Sequence, residues 1–586
     1  MHLGFYDWLV VAAYFVIITV VGLYYTKKAS GSMVDYFITG RSLPWWLAGT
    51  AMVSATFAAD TPLVVSGMVA QNGIAGNWLW WNMVMSGILT VFFFARLWRR
   101  AGVLTDIEFT ELRYSGDRAA VLRGFRAIYL GIPINCIVMG WVLKAMVRVL
   151  ELTTGISTGL AVTICVIITA SYTIFAGSWG ITITALIQFI VKMGAAIMLA
   201  VYAVSYVGGI TAMKAKLVAQ LGAERGSQIL AFTPDIGSAW MPAMTFFVYI
   251  AVQWWAQWYP GAEPGGGGFI AQRMFSSKDE KNSLLGTLWF NVAHYALRPW
   301  FWIVVALVSL IMFPDLKNKE DGYLMVMIKV LPEGMMGVML AGFAAAFMAS
   351  FSTLLNLGTS YLVNDYYRRF MKKDGSEKHY VLASRLTTIL VLVITVIISF
   401  FLESIAGAWK FLIALGAGTG LVYILRWFWW RINAWSEISA MSASFIVSLL
   451  LQYVFKLDIN DPLQFAHIML WTVGLSTATW LIVTYMTNPE PDETLFKFYR
   501  KVYPGGIGWK FIRERMPKEV FPKQELKANF FLWIAGCVLV YGSIFGIGKL
   551  FFAEFGLGSL YIAIGLIAGW AIYFYYQKRG WEAIAE

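Results

Sequence analysis

Charge is scarce in this chain. Charged residues make up 13% of its 586 residues, against about 25% in soluble domains. Set beside 59% hydrophobic residues, that deficit excludes a soluble enzyme and a disordered chain. Histidine is nearly absent: His2, His294, His379 and His467 are scattered and give no zinc spacing. The three cysteines, Cys136, Cys165 and Cys537, all lie in apolar runs and make neither a disulfide framework nor a metal motif. The first apolar run carries Asp7 near its start and has no small-residue cleavage site, so it reads as a retained helix. Period-2 alternation is missing, which excludes an outer-membrane barrel. With no Cys/His nucleophile arrangement and no phosphate-binding glycine loop, an enzyme is not expected.

What is present is length in apolar runs. A crossing helix needs about 20 apolar residues, and fifteen candidate spans satisfy this: roughly 5–26, 44–71, 75–97, 123–150, 158–176, 180–207, 239–260, 284–313, 331–364, 379–402, 405–430, 434–455, 466–487, 527–550 and 558–577. The expected fold class is therefore an all-α polytopic membrane protein. The net charge of +12 belongs to cytoplasmic loops rather than to a nucleic-acid surface. Alternate loops are basic, with Arg96, Arg99, Arg100, Arg113, Arg118, Arg123 and Arg126 in one and Arg368, Arg369, Lys372, Lys373 and Lys378 in another. That alternation places the N-terminus outside and the C-terminus in the cytoplasm, as in a bacterial inner-membrane protein. The polar stretch 488–527 reads as a solvated linker whose Trp509 to Arg513 portion could touch lipid headgroups. Trp427, Trp429 and Trp430 read as interfacial anchors.

Two spans contain what a bilayer helix should not. The second runs through Ser54, Phe57, Asp60, Thr61 and Pro62. A carboxylate at membrane depth needs a partner or a water-filled cavity, and Pro62 removes a backbone donor. The seventh passes through Trp258, Tyr259, Pro260, Gly261, Ala262, Glu263, Pro264 and four successive glycines, which cannot sustain a regular helix. The breaks stand five spans apart. Interrupted helices in corresponding positions of two halves point to a transport site. An odd spacing inverts the second half, so spans 2–6 (44–207) and 7–11 (239–430) are expected as inverted repeats. Residues 1–43 would be an extra helix and loop, and 431–586 four peripheral helices.

Several tracts resemble the sodium/solute symporter family. They are Asp35-Tyr36-Phe37-Ile38-Thr39-Gly40-Arg41-Ser42-Leu43-Pro44-Trp45-Trp46, Leu104-Thr105-Asp106-Ile107-Glu108-Phe109, Phe269-Ile270-Ala271-Gln272-Arg273, the run from Ala344 to Asn356, and Val363-Asn364-Asp365-Tyr366-Tyr367. The resemblance covers about residues 5–430. It implies a leucine-transporter-type fold with two inverted five-helix repeats, and alternating access driven by sodium. It also implies a sodium ion held by the carbonyls of Ser54, Phe57 and Ala346 and by hydroxyls of the ninth span. The family usually has two adjacent hydroxyls there, whereas this chain has Ala349 before Ser350. Ser350, Thr353, Thr56 or a water must then complete the shell. The aspartate of a second sodium site in some members is Ala185 here, so one sodium at most is expected.

The resemblance places a solute cavity between spans 2, 3, 7, 8 and 11. Its candidates are Asp60, Thr61, Trp80, Trp258, Tyr259, Glu263, His294, Arg298 and Trp409. Trp80 and Trp409 fall where the family's galactose carriers have polar sugar ligands, and His294 where they have a lysine. Aromatic faces and carboxylates remain, which suit a cationic or zwitterionic amine but also stack on sugars. Arg298 could pair with Glu263 or Asp60, or bind a solute carboxylate. The expected activity is sodium-coupled import of a small polar solute, amino-acid-like or sugar-like, by a monomer or weak homo-oligomer among membrane lipids. The alternatives are proton coupling or uniport through Asp60, and a non-transporting solute sensor.

Overall fold

In lipid a backbone must satisfy its own hydrogen bonds, so a chain this apolar folds as helices. The computed structural model describes residues 3–29, 39–257, 263–402, 404–516 and 526–579. In chain order its long elements are α1 (Phe5–Ala29), α2 (Trp45–Thr56) and α3 (Asp60–Asn72), then α4 (Ile74–Ala101) and α5 (Gly116–Thr154). Next come α6 (Thr158–Tyr206), α7 (Ala243–Ala256), α8 (Gly268–Ser276) and α9 (Glu280–Met312). They are followed by α10 (Met335–Met371), α11 (Glu377–Phe401), α12 (Ile405–Gly416), α13 (Gly420–Phe428), α14 (Ala434–Val454), α15 (Pro462–Met486), α16 (Leu526–Phe551) and α17 (Phe555–Arg579).

Among the described residues, eleven helices are long and apolar enough to cross a membrane, or thirteen when the bent pairs α2–α3 and α12–α13 each count as one span. The other two of the fifteen expected spans are shorter apolar segments, Thr158–Ala170 and Ala243–Ala256. The first is not separate: α6 runs unbroken for 49 residues, about 70 Å at ~1.5 Å per residue. The expected stop near 177–179 contains only Gly177 and Ser178 as weak breakers, and no proline.

Burial sorts the helices into layers. The apolar window of α10 is 94% buried within the protein, whereas that of α17 is 17% buried. The α2, α3, α4, α9 and α10 helices form the centre, and α1, α11 and α14 to α17 face lipid. The inner helices approach closely. A Cβ on Gly49 of α2 would lie 2.4 Å from the Gly286 carbonyl of α9, so backbone meets backbone there. The α2–α3 bend is 62°. Pro62 sits in the first turn of α3, where no helical partner is needed for its missing N–H; the unwinding lies before it, at 57–59.

The described part of the stretch after 488 is not simply a solvated linker: Leu495, Phe498, Val502, Trp509 and Ile512 are buried, while Ile507 and Phe511 are exposed. The helix Asp492–Val502 turns back under the core, and Trp509 is fully buried. Trp509 donates to the Trp427 carbonyl at 2.8 Å and stacks on Phe498. Trp427 is likewise no interfacial anchor: it is buried between Trp98 and Phe109. Residues 517–525 lie outside the described set.

Beside this face, Glu111 bridges Arg123 of α5 and Arg369 of α10, the latter at 2.9 Å. Burial works to raise the Glu111 carboxyl, but the two guanidinium groups outweigh it and hold it below its ordinary value of 4.5. A depressed carboxylate contributes stability that is complete above the ordinary value and is lost as pH falls through the folded one. Glu111→Gln is therefore expected to melt a few degrees below the parent at pH 7. The gap should close as pH is lowered below 4.5, as read by thermal unfolding across a pH series.

Candidate functional site

At the break between α2 and α3 the carbonyls of Ser54, Ala55 and Phe57 accept from side chains of other helices, although Ser54 also keeps the Phe57 N–H at 3.3 Å. Phe57 has φ −95° and ψ 77°, outside the helical region, so the chain does not continue its own ladder. Ser350 of α10 donates to the Ala55 carbonyl at 2.6 Å. The Lys192 ammonium of α6 donates to the Ser54 carbonyl at 2.6 Å and to the Phe57 carbonyl at 3.1 Å. Lys192 is 2% exposed, and its Nζ also lies 5.0 Å from the Phe57 ring centroid.

Ser54, Phe57 and Ser350 thus gather at one place, as expected of an ion site, and Ala346 is buried in the same stretch of α10. Thr353 is turned to its own helix, donating to the Ala349 carbonyl at 2.7 Å. This donor set does not fit a sodium ion, because Ser54 and Phe57 already accept from an ammonium. Lys192 was missing from the sequence expectations, although a lone lysine in the apolar window Ile181–Tyr206 is itself a signal at membrane depth.

Next to this place lies a cavity of about 90 Å³. Asp60, Thr61, Trp80, His294, Arg298 and Trp409, all expected from the sequence, line it together with Ser350. Trp409 donates to Asp60 Oδ2 at 3.2 Å, and Asp60 Oδ1 makes no hydrogen bond. Arg298 donates to His294 Nδ1 at 2.5 Å and to the His294 carbonyl at 3.1 Å. A guanidinium only donates, so Nδ1 is the acceptor. Arg298 Nη1 makes no hydrogen bond, and among the described residues Arg298 forms no ion pair. Neither expected carboxylate partner, Glu263 or Asp60, is bonded to it. Trp80 is fixed by a bond to Asn77 at 2.9 Å and stacks on Tyr295. Glu263 is buried but is not part of the cavity wall; it packs against Gly267 and Gly268 at the start of α8. Trp258 and Tyr259 lie outside the described residues, as do Pro260 to Ala262 of the second break and Asp35 to Ile38 of the first tract.

A buried polar network joins two of the tracts singled out in the sequence. Asp106 accepts from the Tyr361 hydroxyl at 2.6 Å and the Gly268 N–H at 3.3 Å. Arg126 lies 3.8 Å from Asp106 and 3.0 Å from Glu437, which also accepts from Tyr114 at 2.6 Å. Asp365 is bonded to Thr105 at 2.8 Å and to Arg123 at 2.7 Å. The turn 104–109 is thereby tied to the end of α10 and to the start of α8.

An all-helical membrane protein with a broken helix and, beside the break, a cavity lined by Asp60, Arg298 and tryptophans belongs to the class of solute transporters with the leucine-transporter-type fold. Comparison narrows this. The model of the Sodium:solute symporter family matches residues 36–446, and the chain belongs to that family. It is an integral membrane transporter, not an enzyme. The sodium/glucose cotransporter of Vibrio parahaemolyticus is 24% identical over 515 residues, covering 84% of this chain and 92% of the relative. Sodium/glucose cotransporter 1 of Oryctolagus cuniculus is 22% identical over 544 residues, covering 83% and 80%. Among solved structures, that of a Na+-coupled sialic acid symporter in a substrate-bound outward-open state superposes with a TM-score of 0.66 at 18% identity, covering 83% of this chain and 99% of that one. It shows the same fold.

The two hydroxyls of α10 should separate cleanly. Ser350→Ala leaves the buried Ala55 carbonyl unpaired and is expected to cost about 1–2 kcal/mol. Thr353→Val removes only a bond back to its own helix and is expected to stay within ~0.5 kcal/mol of the parent. Thermal unfolding of the two purified variants checks this.

Proposed function

We propose that the protein is a secondary active symporter that imports a small zwitterionic solute of amino-acid type by alternating access through the Asp60–Arg298 cavity. One observation carries the reading: Asp60 Oδ1 and Arg298 Nη1 are both buried without a hydrogen bond and line the same cavity. Unpaired buried charges are costly, and a ligand bearing an ammonium and a carboxylate would satisfy both. Trp80, Trp409 and Tyr295 supply apolar and cation-attracting faces around them. A cavity of about 90 Å³ favours a compact solute, since ordinary ligand pockets span roughly 300–1,000 Å³.

Family membership supports cation-driven symport, with sodium the family's named ion. The basic loops support an N-terminus outside, and hence import into the cytoplasm of a bacterial cell. The two repeats would be 44–207 and 239–430, related by the breaks at 57–59 and before Gly268. In such a scheme the network of Asp106, Arg126, Glu437 and Tyr361 closes the cytoplasmic side, and its ion pairs must part for release.

Purified protein in liposomes, offered labelled glycine, alanine, serine, proline and glucose, tests the reading. Uptake of an amino acid in preference to glucose is expected. Asp60→Asn and Arg298→Gln should each lower it at least tenfold while the thermal unfolding profile stays cooperative. Glucose uptake that survives both substitutions would contradict the assignment.

A further inference from the structure

The place where a coupling cation would sit is already charged. Ser54 and Phe57 present their carbonyls to Lys192 Nζ at 2.6 and 3.1 Å. Ala55, between them, is engaged by Ser350. The carbonyls of Ser54, Ala55 and Phe57 would each have to give up a side-chain partner to take an ion. Lys192 is held from the far side as well: Gly342 of α10 packs against α6 so closely that a Cβ there would lie 2.7 Å from that of Ala195 and 3.7 Å from the Lys192 Cα. That fit fixes the backbone from which the lysine reaches. Arg298 stands over the same Phe57 ring, at 5.6 Å, so the cavity and the ammonium share one side chain.

We propose that Lys192 is a resident cation that takes the place of sodium at the α2–α3 break, and that this transporter binds no sodium at that position. The inference rests on the transporter reading above but not on the identity of the solute. A tethered ammonium supplies what the break requires: positive charge, and donors for its carbonyls. It also accounts for the substitution of Ala349 for a hydroxyl. The lysine reaching in from α6 has three donors, and two of them are met by oxygens of the break itself. The second ion position, lacking its carboxylate at Ala185, offers no substitute.

The test compares thermal unfolding of the full-length purified protein in sodium chloride and in choline chloride at equal ionic strength. Sodium itself is the probe. A ligand that binds only the folded state raises the melting temperature by mass action. The parent is expected to melt at the same temperature in both salts. Lys192→Ala is expected to melt lower in choline and to recover by ~2 °C or more in sodium. Lys192→Met keeps the packing of the stem and should behave alike if the alanine variant does not fold. A sodium-specific rise in the parent would overturn the proposal, as would the absence of one in both variants. Labelled glycine and proline added to the same samples report the solute site separately. Failure of those probes in either salt would count against the solute assignment alone.

Discussion

Carbonyl oxygens released by a helix break inside a membrane must find donors within the protein, because lipid offers none. Much of this structure follows from that one requirement. Where α2 bends into α3, the carbonyls of Ser54, Ala55 and Phe57 are met by side chains from two helices distant in sequence. Ser350 reaches from α10 and Lys192 from α6. The break is thereby the junction at which three helices are pinned. The same bend delivers Asp60 to the wall of the cavity at the first turn of α3. The pinned carbonyls and the cavity are consequences of a single distortion, and Ser350, which bonds the Ala55 carbonyl and lines the cavity, is common to both.

Charge also joins helices away from the cavity. The buried network around Asp106, Arg126 and Glu437 involves residues from the turn 104–109, α5, α10 and α14. Breaking one member would strand its partner, which costs several kcal/mol (~3–5) for a buried pair. The segment Asp492–Val502 and Trp509 brace this region, which gives at least part of the C-terminal third a structural task.

Much of this was legible in the sequence because it depends on local chemistry. Apolar length located the spans, and the Asp60–Pro62 cluster located the bend to within a few residues. Six of the nine expected solute residues line one cavity, because the family resemblance fixes which spans face inward. What failed depended on contacts across helices. Lys192 stood in plain view in an apolar run, yet spacing along α6 does not say which carbonyls its stem reaches. Trp427 has the composition of an interfacial anchor, and only the returning segment at 492–509 buries it. Glu263 was expected in the cavity because it is a carboxylate at a break, but the turn at Gly265 and Gly266, both at positive φ, carries it against α8 instead. The 49 residues of α6 read as two spans because a crossing needs ~20, while nothing in the residues between forces the helix to stop.

The central claim is that a lysine, not a sodium ion, satisfies the break. The most direct measurement is a cryo-electron microscopy map of the purified protein in sodium buffer, at a resolution that shows side chains. The account predicts density for the Lys192 side chain running unbroken to within hydrogen-bonding distance of the Ser54 and Phe57 carbonyls, with no separate feature between them. A lysine turned away, with an isolated ion-sized peak coordinated by those two carbonyls and Ser350, would contradict it.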